Sequence, residues 1–241
     1  MCKANWGSGG VFLLALVSAL ALAGGCGQAG LAGTGTAPAA SRPAPPPVVF
    51  TFDDQPVGRF PLDWEVVINN SSGPAARWQV VEDPAAPSKP RVLKITEIRD
   101  GAKQVFNFCL PTKPVFRDGA IEVKVRADTG KIDQGGGLVW RVRDIHNYYL
   151  ARYNPLEKNL RLYFVKDNKR TLIAGVPDVT IPAGQWFTLG VTHRGRKIDL
   201  YLDGRHVLEA QDETFPAAGG VGLWTKADAA SSFDDLKIQG E

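Results

Sequence analysis

Cysteine is nearly absent: the 241-residue chain has three, Cys2, Cys26 and Cys109. That excludes a disulfide framework and the clustered Cys/His spacings of a structural zinc site. Histidine is as scarce, with three residues that form no recognisable metal motif, and no G-x-S-x-G nucleophile elbow occurs. An excess of one charge is also missing. With 28 basic against 25 acidic residues and a formal charge of +3, nothing marks the concentrated basic surface that a nucleic-acid partner requires. No convincing helical stripe is present. The longest apolar run, VFLLALVSALALA at 11–23, is too short to cross a membrane comfortably and has the length of a signal-peptide apolar region.

Beyond that run lie an address and then a tether. Ala21-Leu22-Ala23 matches the small-x-small site of ordinary secretion, whereas Ala23-Gly24-Gly25-Cys26 resembles the bacterial lipoprotein signal, in which the cysteine is lipidated and becomes the new N-terminus. Residues 27–47, GQAGLAGTGTAPAASRPAPPP, carry one charge, Arg42, and no aromatic side chain. Such a segment cannot bury enough apolar surface to offset its ordering entropy, and as a flexible coil it spans about 25 Å. The expected organisation is a signal peptide over 1–25, a lipidated Cys26 with a disordered Gly/Ala/Pro tether over 26–47, and one folded domain over 48–241. The expected location is exported and lipid-anchored to the bacterial cell envelope, on its periplasmic or surface side. Free secretion, or a free periplasmic protein, is the alternative.

From Val48 onward, β-branched and aromatic runs recur between turn residues. Strands are expected at 48–52, 64–68, 77–82, 91–97, 104–110, 120–126, 137–143, 148–153, 159–165, 170–174, 186–193, 197–202, 206–210, 220–226 and 232–238. Fifteen short strands indicate an all-β, two-sheet antiparallel sandwich. In the cleanest runs Ile121, Val123 and Val125 share a face, as do Leu138, Trp140 and Val142, then Leu160, Leu162 and Phe164, then Phe187, Leu189 and Val191, and lastly Ile198, Leu200 and Leu202. Hairpins are expected at Asp167-Asn168, Arg194-Gly195 and Asp203-Gly204. Cys109 lies in VFNFCL and is expected to be a small core hydrophobe, although it shares its parity with Asn107. The histidines are expected at the surface or in turns, with His193 and His206 able to approach one another across the final hairpins.

The ordered motifs FDDQPVGRFPLDW, GGLVWRVRDIHNYYLARYN, GQWFTLGV, KIDLYLDGRHV, GGVGLWT and SSFDDLKI resemble a laminin-G-like jelly roll of the concanavalin A-like lectin and glucanase superfamily. The resemblance covers roughly 50–240. It implies carbohydrate binding, glycoside hydrolysis of the family 16 or 3-keto-disaccharide hydrolase type, or protein binding, and fold alone does not choose among them. The glucanase branch places its carboxylates as Glu-x-Asp-x-x-Glu on one strand, a string this chain lacks, so no catalytic residues are assigned. A retaining glycosidase would need two carboxyl groups about 5.5 Å apart.

Alternation places Arg141, Arg143, Tyr148, Arg152, Arg161 and Tyr163 on one outward face, where arginine can donate to hydroxyls or carboxylates and tyrosine can stack on a sugar. The competing reading is a solvated face shielded by its own long side chains. Trp186 and Trp224 are open between packing and a sugar platform. Asp53-Asp54 and Asp234-Asp235, on the first and last strands, could together supply oxygens for Ca²⁺, or could bond their own turns. No other cofactor is expected. The expected partners are a glycan or other envelope ligand and the membrane through Cys26, with no nucleic acid and an open oligomeric state.

Overall fold

A computed structural model describes residues 45–240; the expected signal, the lipidated Cys26 and the expected tether up to residue 44 lie outside the described residues. In chain order the strands are β1 (Val48–Phe50), β2 (Trp64–Asn69), β3 (Arg77–Glu82), β4 (Arg91–Glu97), β5 (Phe106–Pro111), β6 (Gly119–Thr129), β7 (Gly136–Asp144), β8 (Asn147–Asn154), β9 (Asn159–Lys166), β10 (Lys169–Val176), β11 (Trp186–Arg194), β12 (Lys197–Leu202), β13 (Arg205–Gln211), β14 (Gly220–Lys226) and β15 (Ala230–Gly240). Every expected strand forms. They build two antiparallel sheets, one in the order β13-β12-β11-β6-β15-β4-β3 with β1 also paired to β15, the other in the order β10-β9-β8-β7-β14-β5-β2.

Turn chemistry sets the hairpin registers. Asp167-Asn168 and Asp203-Gly204 each carry two successive positive φ values, 51° and 63°, then 49° and 75°, which match the right-handed twist of the flanking strands. Between β11 and β12 the two loop residues are Gly195 and Arg196, one position later than expected, because Arg194 still pairs with Lys197. The core between the sheets takes the alternating residues: Ile121, Val123, Val125, Phe187, Leu189, Val191, Ile198 and Leu200 from one side, Leu138, Trp140, Leu160 and Leu162 from the other. Each such aliphatic or aromatic side chain contributes about 1.5–3 kcal/mol on burial. Cys109 joins this core, fully buried, and burial pushes its thiol pKa up, so it is inert packing.

Two features depart from simple alternation. At Arg141 the backbone enters φ 47°, and the pairing of β7 with both β8 and β14 slips there. This bulge reverses the parity of the residues after it. Val142, expected beside Trp140 in the core, packs instead against a second apolar cluster on the opposite face of the sheet. That second cluster is the other departure: Phe108, Leu110, Val139, Tyr148, Leu150, Val165 and Trp224 are buried on the outer face of the seven-stranded sheet, away from the sandwich core.

The outer cluster is buried because the sheet rolls over it. In a flat sheet β2 and β9, five strand spacings apart, would lie about 24 Å from each other. Here Asn69 of β2 donates to Asn168, in the turn after β9, at 2.8 Å, and to the Ile145 carbonyl in the β7–β8 turn at 2.8 Å. The rings of Phe108 and Tyr148, on strands three spacings apart, meet edge to face at 5.1 Å. Glycine under the cluster permits the close strand approach: a Cβ on Gly137 would lie 1.9 Å from the Ala151 carbonyl oxygen.

Candidate functional site

The rolled outer face of the seven-stranded sheet is where alternation places the ligand residues, and the structure divides those residues. Arg152 and Arg161 are direct cross-strand partners on β8 and β9, with Tyr163 opposite Leu150 in the next row. Arg152 is buried and engaged internally, donating to Asn159 Oδ1 at 2.8 Å and Glu157 Oε2 at 2.7 Å. Burial alone would raise the Glu157 carboxyl, but the hydrogen bond and charge of Arg152 outweigh it and hold the group below the usual carboxylate range. Arg161 donates to Tyr163 Oη at 3.3 Å and keeps a half-exposed guanidinium.

Tyr148 is fully buried among the rings of the outer cluster, so it packs that cluster and meets no solvent. Tyr163 is also buried, beneath the Arg170 guanidinium at 4.7 Å. Arg141 leaves this face altogether. Its bulge turns the side chain into the end of the sandwich, where Nε donates to the Arg117 carbonyl at 2.8 Å, Nη1 to the Phe215 carbonyl at 2.7 Å and Nη2 to Asp118 Oδ1 at 3.1 Å. Arg143 is exposed, with its guanidinium 5.5 Å from the Phe215 ring. Of the six expected residues, Arg143 and Arg161 therefore present polar groups to solvent.

The Asn69 bridge separates two depressions on this face, and a third lies near Arg161. One, of about 350 Å³, has Phe108 and Leu110 among its lining, with Glu65, Arg143 and Asp144 supplying charge. The second, of about 370 Å³, is lined by Lys103, Gln104, Phe106, Asn168, Arg170 and Lys226, among others. The third, of about 320 Å³, takes Glu157, Asn159, Arg161 and Asp178. Sequence reasoning missed Lys103, Arg170 and Lys226, because they lie far apart in the chain and converge only through the roll.

Elsewhere the polar groups are engaged structurally. His193 is fully buried, not at the surface: its Nδ1 accepts from Trp140 Nε1 at 2.9 Å, and burial, reinforced by Arg141, lowers its pKa to about 4. It continues the inward parity of Leu189 and Val191, a signal that was present in the sequence. His206 faces outward with Asp199, so the two histidines lie on opposite faces of their sheet. Trp186 is covered by the Arg126 guanidinium at 4.9 Å, which Asp83 and Asp128 each grip at 2.6 Å. Trp224 is packed in the outer cluster. Trp224 is therefore core packing, whereas Trp186 is half-buried beneath its arginine.

The four aspartates weighed for calcium are used separately, Asp54 Oδ1 accepting from the neighbouring Gln55 side-chain amide at 3.2 Å. Asp53 Oδ1 accepts the Arg91 amide at 3.0 Å, Asp234 accepts the Ser88 amide and hydroxyl at 2.9 Å, and Asp235 pairs with Lys124 at 3.2 Å. Among the described residues one group brings three ligand atoms within 4.8 Å of one another: Asp199, His206 and Glu209. The Lys197 ammonium already occupies it, 3.0 Å from Glu209 and 3.6 Å from Asp199.

The fold is a two-sheet antiparallel jelly-roll sandwich, one that solved carbohydrate-binding modules and glucanases also adopt. Three solved structures share it. The carbohydrate-binding module CBM66 from Bacillus subtilis superposes with a TM-score of 0.56 at 21% identity, over 72% of this chain and 93% of that one. The Bacillus licheniformis β-glucanase gives 0.54 at 11% identity, over 82% and 99%. Domain 4 of the extracellular arabinanase AbnA from Geobacillus stearothermophilus, in complex with arabinotriose, gives 0.52 at 12% identity, over 80% and 90%. No protein-family model matches the chain, and no curated protein does.

Proposed function

We propose that this chain is a non-catalytic carbohydrate-binding domain that takes its ligand along the outer face of the seven-stranded sheet. The observation that carries the reading is the roll itself. It fills the centre of the face with the chain's own rings and leaves, around them, depressions of about 320, 350 and 370 Å³, the first two lined by arginine and carboxylate groups among others and the third by arginine, lysine and amide groups. These volumes sit at the low end of ligand pockets, roughly 300–1,000 Å³, and suit one or two sugar units. The test is retardation of the chain in gels containing neutral and acidic polysaccharides, with the same polysaccharides assayed for released reducing sugar. Binding without release supports the reading; release that disappears on a carboxylate substitution refutes it.

One observation favours a second reading, a glycoside-processing enzyme. Glu65 and Asp144 line the same depression, and two carboxylates facing one cavity are what hydrolysis of a glycosidic bond requires. Product formation by the parent chain and its loss in Glu65→Gln would establish that activity.

Export and anchoring through a lipid on Cys26 complete the proposal and rest on the sequence alone. Mass spectrometry of the mature N-terminus separates the alternatives: a diacylglyceryl adduct on Cys26 supports the anchor, and an unmodified terminus at Gly24 removes it.

A further inference from the structure

The charge around the second depression narrows the ligand, provided the carbohydrate reading holds. Of the three depressions on this face it alone is lined by cations without a carboxylate. Lys226 is already compensated by Asp133 at 2.8 Å, whereas Lys103 and Arg170 make no ion pair among the described residues. Arg170 is held between two rings, 4.7 Å from the centroid of Tyr163 and 5.6 Å from that of Phe106. Cation–π contact of this kind fixes the plane of the guanidinium while leaving its N–H donors free. It also takes up the aromatic faces, so a neutral sugar cannot stack there. The rim is braced by its own amides: Asn168 Nδ2 donates to Asn70 Oδ1 at 2.7 Å, and Asn70 Nδ2 to the Gln104 carbonyl at 3.0 Å.

We propose that this depression is an anion subsite that recognises a sugar carrying a carboxylate or sulfate group, with the Arg170 guanidinium as the pre-oriented fork and Lys103 as the second charge. A planar guanidinium meets two oxygens of such a group at once. Recognition here is by charge rather than by ring stacking.

The experiment is calorimetric titration of the full chain with two matched pairs: polygalacturonate against its fully methyl-esterified form, and dextran sulfate against dextran. In each pair the backbone is kept and the charge is removed. The expected result is binding to polygalacturonate, to dextran sulfate or to both, with neither neutral partner bound, and the charged member that binds identifies carboxylate or sulfate as the group read. Arg170→Gln and Lys103→Gln should each weaken that binding about 10- to 100-fold, the loss expected when a charged hydrogen-bond donor is removed. Arg196→Gln, on the turn between β11 and β12, should leave it unchanged. Lys103 is exposed and unpartnered, so its variant keeps the test valid if loss of Arg170 unfolds the face. Equal binding of charged and neutral members overturns the anion subsite and leaves the carbohydrate reading standing. Equal binding of inorganic polyphosphate overturns the sugar part and leaves a bare anion site. No binding to any polysaccharide, here and in the gels, overturns both.

Discussion

Replacing Arg141 by methionine tests whether this residue belongs to a ligand site or to the frame. The side chain is 1% exposed and its donors serve three segments at once: the Arg117 carbonyl and Asp118 before β6, the Phe215 carbonyl after β13, and the Gly195 carbonyl in the β11–β12 turn at 3.4 Å. Burial depresses its pKa, outweighing Asp118 beside it. Methionine fills the aliphatic part of the volume but takes the guanidinium away from three carbonyls and from Asp118, which keeps the Gly195 amide at 2.8 Å and Arg117 at 3.3 Å. Each buried orphan costs about 1–3 kcal/mol, and Asp118, a quarter exposed, recovers some hydration. The sum falls near the roughly 3–5 kcal/mol expected for breaking a buried ion pair from one side. For a domain of this size that lowers the thermal midpoint by about 10 °C. Urea denaturation and thermal melting measure it. Arg141→Lys should recover only part of the loss, since one ammonium cannot meet acceptors from three directions. A loss under about 1 kcal/mol, or abolished polysaccharide binding at unchanged stability, would refute the assignment and return Arg141 to the outward face that alternation expects.

Stability should vary little between pH 6.5 and 4, because two buried groups oppose one another: His193, lowered to about 4, contributes stability that is present above pH 6.5 and lost as pH falls, while Asp234, raised to about 6 chiefly by burial, contributes stability that is present below its usual pKa and lost as pH rises through 6. Each is worth up to about 3 kcal/mol, so in urea titrations Asp234→Asn should become acid-sensitive and His193→Gln acid-stabilised, and parallel pH curves for all three proteins would sink the pairing. Gly137→Ala forces a methyl group onto the Ala151 carbonyl and the Arg152 Cα, both backbone, and should destabilise by about 1–3 kcal/mol or more; a melt within about 1 °C of the parent would mean that β7 and β8 are less closely apposed than described. Because Asp53, Asp234 and Asp235 are bound to separate partners, EDTA followed by excess Ca²⁺ should leave the melting midpoint unchanged, and a rise with Ca²⁺ would show that these aspartates do converge.

The strands were legible because half-buried strands alternate, and alternation is a local property: Ile121, Val123 and Val125 against Glu122, Lys124 and Arg126 leave one register open. The candidate site was less legible because both of its determinants are non-local. A bulge depends on how β7 is offset against β8 and β14 together, and nothing in WRVRD marks Arg141 as the residue that takes positive φ. The roll depends on contacts between strands five places apart. Yet one trace of it was in the sequence. Cys109 and Asn107 face the core while Phe106, Phe108 and Leu110 face away, and all are buried; NYYLARY in β8 repeats the pattern, with Tyr149 and Ala151 inward and Tyr148 and Leu150 outward. A strand apolar on both faces must be covered on both faces. In a two-sheet sandwich with no helix among the described residues, the second cover here comes from the sheet folding over itself, and that is the step from these two runs to a face whose centre is closed and whose polar rim stays exposed.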